Sequence, residues 1–253
     1  MDTKVPRFLT GWLAGRAARR DEGPAQDPCR CLAAGTDPRA RVGFHTEPQD
    51  TRARGWLRLL DLVEEAAADG REEFAPLGSL TPGERREIIT LPASIGALTR
   101  VRHLVLYGSN LVRLPAEIGG MTALEAFTPY TSYRLHWFPY EITRCARLVE
   151  STVSTRALFG NTKIQAPFPW LRPSSVPDPE AAPDRPCSVC AGPVDPERAV
   201  SAWTSLTVAT DVLPLLVRAC SEDCLAALPP GAPHHPPGPH RGGPTARPED
   251  RPH

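Results

Sequence analysis

The chain has 253 residues, of which 29 are basic, 29 are acidic and 30 are proline, so it is neutral overall and unusually rich in proline. Neutral charge argues against a general nucleic-acid binder or a binder of anionic membranes, and no apolar run approaches the roughly 20 residues that span a bilayer. The short apolar run 8–14 is followed by Arg16, Arg19 and Arg20, which is not typical of a secretory signal. We therefore expect a cytoplasmic protein with no membrane association.

The first segment, residues 1–49, is predicted to be largely disordered. A basic amphipathic helix around Arg7 to Arg20 could touch a membrane surface or a partner, although a frayed terminal segment is the simpler interpretation. Cys29 and Cys31 lie in a polar stretch without a nearby cysteine pair, and we interpret them as an incidental exposed pair rather than a metal or redox pair.

Two helices are predicted at the start of the next unit, residues 50–165. Asp50 or Thr51 can cap the first helix, which ends at Gly70. Its buried face is predicted to comprise Trp56, Leu60, Val63 and Ala67. The segment from Thr81 to Glu84 is a capping box with proline at the first helical position, so a short helix should run from about Pro82 to Ile89.

A repeat follows these helices. Leu91-Pro92, Leu114-Pro115 and Phe138-Pro139 stand 23 and then 24 residues apart, and apolar residues recur at matching distances from each pair. The clearest columns are Ile95, Ile118 and Ile142; Leu98, Met121 and Cys145; Val101, Leu124 and Leu148; and Leu104, Phe127 and Ser151. A period of this length marks units that cannot bury their own apolar faces and must stack to share one core.

Residues 88–161 resemble the bacterial-type leucine-rich repeat family, and the best copy reads LTRVRHLVLYGSNLVRLPAEIG from Leu98 to Gly119. The resemblance implies an α/β fold: a short solenoid in which each repeat adds one strand to a parallel sheet, behind an N-terminal helical cap. Residues between the inward apolar positions would line the exposed sheet face. Carried onto this chain, that face would bind a protein partner through Arg102, His103, Tyr107, Glu125 and Tyr130.

The chain departs from the family pattern at two places. Ser109, Ser132 and Arg156 stand where the family usually has asparagine, and serine can replace part of its hydrogen bonding whereas arginine cannot. Pro129 falls at an inward strand position, where it removes a backbone donor and should distort the second repeat. The aromatic-rich segment from Tyr130 to Trp137 either bulges outward as a binding loop or closes the end of the coil.

Residues 166–186 contain seven prolines and are predicted to be a linker.

A small lobe, residues 187–228, follows with two close cysteine pairs, Cys187 with Cys190 and Cys220 with Cys224. Such pairs match a closed, structural, tetrahedral zinc site. Two disulfides, a redox pair or buried thiols are the alternatives, of which disulfides are disfavoured in a reducing compartment. A cysteine knuckle, strands from Ala202 to Ala219 and a helix opened by the second pair resemble a treble-clef zinc finger, an α+β lobe.

The tail 229–253 has nine prolines and four histidines and is predicted to be disordered.

No nucleotide-binding glycine loop, nucleophile elbow or metalloprotease motif is present in the sequence. His103 and Glu125 could be neighbours, but we interpret them as a solvated surface pair rather than an acid and base. The sequence therefore predicts a non-enzymatic protein-interaction module. The alternative is a nucleic-acid-binding or regulatory zinc finger, although only Arg198 and Arg218 are basic between Cys187 and Cys224.

Overall fold

A computed structural model describes residues 45–155, 162, 185–233 and 235–241 of the chain. The basic segment around Arg7 to Arg20, the Cys29 and Cys31 pair, Arg156, most of the 166–186 linker and the tail beyond Arg241 lie outside these residues. The described part is a mixed α/β structure with few helices. None of its helices combines the length and apolarity that crossing a bilayer requires.

The helices are α1 (Arg54–Asp69), α2 (Pro82–Arg86) and α3 (Glu222–Ala226). The strands are β1 (Glu73–Phe74), β2 (His103–Val105), β3 (Ala126–Thr128), β4 (Phe138–Pro139), β5 (Glu150–Ser151), β6 (Val200–Val208) and β7 (Asp211–Ala219). Besides a 3-10 helix at Pro76–Ser79, three more 3-10 helices are called turn 1 (Ala93–Ala97), turn 2 (Ala116–Gly120) and turn 3 (Tyr140–Arg144). The strands form a parallel sheet in the order β1-β2-β3-β5 and a second sheet in the order β4-β7-β6.

Helix α1 begins and packs differently from the prediction. Its N-cap is Ala53, without a side-chain cap, because the Asp50 carboxylate accepts instead from the Arg52 N–H at 2.9 Å. The buried residues are Gly55, Trp56, Leu59, Leu62, Val63 and Ala66, whereas Leu60 is half-buried and Ala67 is exposed. Leucines and alanines occur on two adjacent faces of this helix, so only the packing of the rest of the chain selects between them. The predicted end at Gly70 is confirmed by its left-handed φ of 64°.

The capping box at α2 is confirmed, but the helix is shorter than predicted. The Glu84 N–H donates to the Thr81 hydroxyl at 3.3 Å, and the Thr81 N–H donates to the Glu84 carboxylate at 2.9 Å. The helix ends at Arg86 rather than Ile89, and Ile88 beyond it is fully buried in the core. The Glu87 carboxylate accepts from the Gly55 N–H at 2.7 Å and ties α2 to α1.

The three Leu-Pro or Phe-Pro pairs all lead into the same local structure. Each proline, Pro92, Pro115 or Pro139, is the N-cap of its turn, and the isoleucine three residues later is fully buried. The predicted column of Leu104, Phe127 and Ser151 is also the register of the parallel sheet, in which Leu104 pairs with Phe127 and Phe127 with Ser151. The sequence did not predict β1, which pairs with β2 through Glu73 and His103.

Neighbouring turns approach each other too closely for a side chain between them. A Cβ added to Gly96 would lie 2.6 Å from the Glu117 carbonyl oxygen of turn 2, and one added to Gly119 would lie 2.5 Å from the Glu141 carbonyl oxygen of turn 3. The corresponding position in turn 3 is Thr143. This pair of glycines was not recognised in the sequence, although Gly96 and Gly119 are 23 residues apart.

Ser109 and Ser132, which stand where the family usually has asparagine, form a hydrogen bond with each other through their side chains. The hydroxyls of Ser109 and Ser132 are 2.6 Å apart, and the Ser132 hydroxyl donates to the Leu106 carbonyl oxygen at 3.0 Å. After them, Leu135, His136 and Trp137 are buried while Tyr130 and Tyr133 are exposed, so the aromatic-rich segment partly closes the core and partly faces outward. Pro129 is buried, follows the last residue of β3, and supplies no N–H for pairing with β5, which has only two residues.

The hairpin β6-β7 packs onto the parallel sheet. Phe138 of β4 pairs with Leu215 of β7, and Leu213 and Leu215 belong to the same hydrophobic core as Leu104. Asp211 is fully buried, and one of its carboxylate oxygens accepts from the Ser151 hydroxyl and the Val153 N–H, both at 3.0 Å. The hairpin therefore covers the end of the sheet that β5 forms.

Part of the tail that we expected to be disordered is paired with β6. His240 and Trp203 exchange two backbone hydrogen bonds, of 2.8 and 3.0 Å, and Trp203 is fully buried. An edge strand such as β6 has free backbone groups that can take such a partner, which proline content alone does not reveal.

Candidate metal centre and exposed sheet face

The four predicted cysteines, Cys187, Cys190, Cys220 and Cys224, converge on one point. Their sulfur atoms all lie within 4.8 Å of one another, so this cluster could hold a metal ion. The Sγ atoms of Cys190 and Cys220 are 3.7 Å apart, and those of Cys220 and Cys224 are 3.5 Å apart. Four thiolates about 2.3 Å from a tetrahedral ion would be about 3.8 Å from each other. The donor set and its spacing therefore fit a tetrahedral ion, whereas a disulfide needs sulfurs about 2.05 Å apart.

A tight loop, the knuckle (residues 187–192), brings the first two sulfurs together. It closes through hydrogen bonds from the Cys187 N–H to the Gly192 carbonyl at 2.8 Å and from the Ala191 N–H to the Cys187 carbonyl at 3.0 Å. Ala191 adopts a left-handed φ of 58° to make that turn. The Gly192 N–H then points at the Cys190 sulfur, 3.4 Å away, as expected of a donor that stabilises a thiolate.

The second pair comes from the end of β7 and the start of α3. The Cys220 N–H donates to the Cys187 sulfur at 3.4 Å, which links the two pairs. Ser221 is the N-cap of α3, and its hydroxyl accepts from the Cys224 N–H at 3.3 Å. The cap fixes Cys224 in the first turn of the helix, with its sulfur facing the cluster.

The cluster holds one negative charge readily and resists further charges. Burial acts to raise the pKa of Cys187, but backbone N–H donors, including those of Cys190 and Cys220, outweigh it and lower the pKa to about 6. The pKa of Cys224 is raised to about 12, because its S–H is hydrogen-bonded towards Cys220 and Cys190. Bringing all four thiolates together therefore requires a cation among them.

A network that the sequence did not predict joins the knuckle to turn 3. Ser188, between the first two cysteines, donates from its hydroxyl to the buried Glu141 carboxylate at 2.9 Å and from its N–H to the Arg218 carbonyl at 2.8 Å. The Arg144 guanidinium donates to the Ser188 carbonyl at 3.2 Å. Arg185 lies 3.7 Å from the second Glu141 oxygen as an ion pair. No local sequence pattern predicts these contacts, because they join residues 30 to 47 positions apart.

Of the five residues predicted to bind a partner, His103 lies on the open face of the parallel sheet, opposite the buried Leu104. Arg102 and Glu125 directly precede β2 and β3, and Tyr107 and Tyr130 follow these strands at exposed positions. Tyr107 and Tyr130 are 54% and 43% exposed, with ring centroids 6.0 Å apart and ring planes inclined by 42°. Arg102 is ion-paired with Glu125 at 2.8 Å. His103 is half-buried, while Leu104 and Phe127, on the opposite face, are fully buried.

His103 and Glu125 each have another partner. The Nε2 atom of His103 is 3.0 Å from the Thr128 hydroxyl, and its Nδ1 atom is 3.5 Å from the Glu73 carboxylate. The Glu125 carboxylate accepts a hydrogen bond from the Arg102 guanidinium. These contacts account for both side chains without assigning them an acid–base role.

Comparison with known proteins gives no relative: no family model, no curated protein and no solved structure matches this chain significantly.

Proposed function

We propose that this protein is a non-enzymatic, cytoplasmic scaffold: a short leucine-rich repeat solenoid whose open sheet face binds a segment of another protein, completed by a structural zinc site. The observation that carries the proposal is the exposed pair of Tyr107 and Tyr130, which stands on a face whose other side is the hydrophobic core. Tyrosine is enriched in protein interfaces because its ring supplies contact area and its hydroxyl a hydrogen bond.

The repeating turns support the solenoid part of this proposal. Turns 1, 2 and 3 begin at a proline, bury an isoleucine, and stack through Gly96 and Gly119. The strands that follow turns 1 and 2 pair in register, 23 residues apart. Equivalent residues thus occupy equivalent environments, which is the basis of repeat architectures.

The closed donor set supports zinc in a structural role. Four cysteine sulfurs leave no position for water or substrate on a tetrahedral ion, and thiolate donors are typical of structural zinc. When bound, the ion would neutralise the thiolates and supply folding free energy to the knuckle, α3 and the end of β7. The alternative nucleic-acid function has little support, because only Arg198 and Arg218 are basic between the cysteine pairs.

Affinity capture with the full chain tests the scaffold proposal. Tyr107→Ala with Tyr130→Ala should release partners that the unaltered chain captures, as measured by quantitative mass spectrometry. Tyr133→Ala is the matched control, since Tyr133 is also exposed, at 38%, but lies outside the tyrosine pair. Capture that is unchanged by the double substitution would count against the sheet face as the binding surface.

A further inference from the structure

The open sheet face changes in character along its strands. At the strand starts lie four carboxylates, here called the acidic end: Glu72, Glu73, Glu125 and Glu150. Beyond the strand ends lie Tyr107 and Tyr130, here called the tyrosine end. Between them the face presents the uncharged side chains of Val105 and Thr128, both half-buried, while the half-buried Ala126 lies in register with Glu150.

The acidic end carries more negative charge than its own cation can neutralise. Arg102 pairs with Glu125 at 2.8 Å and approaches Glu72 at 3.7 Å. Among the described residues, Glu73 lies 3.5 Å from the His103 ring as its one ion-pair partner, and the exposed Glu150 side chain forms no hydrogen bond or ion pair. The four carboxylates thus lie along a row across the sheet, with Glu73 on the edge strand β1 and Glu150 on the edge strand β5, about 14 Å apart. The Glu72 and Glu73 side chains are 73% and 66% exposed.

The tyrosine end is suited to an apolar ring rather than to a charge. The two rings are separated and inclined to each other, so their exposed faces can contact a third ring in offset or edge-to-face packing. The two ends lie four to five residues apart along the strands, as from His103 to Tyr107 or from Glu125 to Tyr130, which is about 13 to 17 Å.

We propose, building on the function proposed above, that the occupant of this face is an extended peptide segment with a lysine or arginine about four or five residues from an aromatic residue. The cation pairs with Glu73 at one edge of the sheet or with Glu150 at the other, and the aromatic ring packs on Tyr107 and Tyr130. The uncharged part of the face between the two ends contacts the intervening peptide residues and does not discriminate among their side chains.

Selection from a random library of linear 12-residue peptides, displayed on phage, tests this inference on the zinc-loaded full chain. The expected result is enrichment of peptides with lysine or arginine and an aromatic residue at the stated spacing. A resynthesised peptide should lose roughly fivefold in affinity with Glu73→Gln plus Glu150→Gln, since each exposed ion pair contributes modestly. It should lose more than tenfold with Tyr107→Ala plus Tyr130→Ala. Glu117→Gln, on the exposed surface of turn 2, is the charge control and should change nothing.

Two other results would overturn the inference in different ways. Enriched peptides that lack a cation, yet lose binding with the tyrosine variant, would refute the charge selectivity and leave the proposed scaffold function in place. A library without enrichment, or peptides insensitive to both double variants, would refute the inference and count against the sheet face as a binding surface.

Discussion

The hydroxyl of Ser188 lies 2.9 Å from a carboxylate oxygen of Glu141, so the cysteine knuckle and turn 3 share a buried hydrogen bond to a charged group. The Arg218 N–H donates in turn to the Ser188 hydroxyl at 3.2 Å. One serine therefore joins the knuckle, turn 3 and β7.

Removing this hydroxyl should destabilise the protein. Ser188→Ala leaves a buried carboxylate without its donor and should lower the free energy of unfolding by about 1.5 to 3 kcal/mol. Urea denaturation measures the loss, and Ser79→Ala, an exposed serine in a 3-10 helix, should have almost no effect. In a double-mutant cycle with Glu141→Gln, the two losses should add to more than the loss of the double variant; strict additivity would refute the coupling.

Metal content should depend on both cysteine pairs. The purified chain should contain one zinc per molecule by elemental analysis, and Cys187→Ser and Cys220→Ser should each abolish or strongly reduce it, because a structural site needs all four donors. Cys145→Ala is the control: Cys145 is buried in the core, donating its S–H towards the Ile118 carbonyl, and this variant should retain its zinc. Full zinc content in both serine variants would contradict the proposed site.

A methyl group at Gly119 should force turn 2 away from turn 3. The added Cβ would lie 2.5 Å from the Glu141 carbonyl oxygen, a backbone atom that cannot rotate away. Gly119→Ala should therefore cost about 1 to 3 kcal/mol of stability. Gly78→Ala adds the same atom where nothing lies within 4 Å and should be nearly neutral. Equal melting temperatures for these two variants would show that the turns can separate without cost.

Replacing Asp211 should destabilise the protein far more than replacing an exposed aspartate. Asp211→Ala leaves the buried Val153 N–H and the Ser151 hydroxyl without their acceptor, at a cost of about 1 to 3 kcal/mol. Asp61→Ala removes only an exposed 3.8 Å ion pair with Arg58 and should cost less than about 1 kcal/mol. Denaturant midpoints at one pH compare the two, and a similar small loss in both would refute the role of Asp211.

The free energy of unfolding should decrease as the pH is lowered from about 6.5 to 4, and one histidine accounts for part of this loss. Burial, together with the neighbouring His45 and Arg134, lowers the pKa of His136 to about 4, against about 6.5 in the unfolded chain. The folded state then binds fewer protons in this window, so its stabilisation is complete above pH 6.5 and is lost as the pH falls. The loss from this residue is at most about 3 kcal/mol.

Substitution separates this histidine from other titrating groups, such as His240, whose pKa burial also lowers to about 4. His136→Gln should flatten the dependence of the unfolding free energy on pH between 6.5 and 4, and its loss of stability at pH 8 measures the contacts of the neutral side chain. An unchanged slope in the variant would show that His136 does not bind its proton on unfolding.

Local patterns predicted much of the architecture. The Leu-Pro and Phe-Pro pairs located the three turns, and the apolar columns gave the register of β2, β3 and β5, because both follow from a pattern that recurs every 23 or 24 residues. The cysteine spacing identified a cluster whose sulfurs do converge. The capping box at Thr81 was likewise readable, since both partners lie within four residues.

Contacts between distant segments could not be predicted in the same way. Strand β1 has only two residues, and Glu73 pairs with His103 at a separation of 30, outside the repeating interval. The Ser188 to Glu141 bond and the pairing of Phe138 with Leu215 join segments with no shared motif. Trp56 and Val63 of α1 are buried as predicted, but Leu60 was predicted in place of Leu59, because the two offer equivalent apolar surface until the rest of the core selects one.

The pairing of β4 with β7 also affects how the chain can be divided. A fragment ending at Thr155 would keep the three turns but expose Phe138, Val153 and the neighbouring core atoms that Leu215 and Asp211 cover. A fragment beginning at Arg185 would present the complementary surface of β7. Mixed together, the two pieces should reassemble as halves of one folding unit, so a cut between them would not release an independent domain.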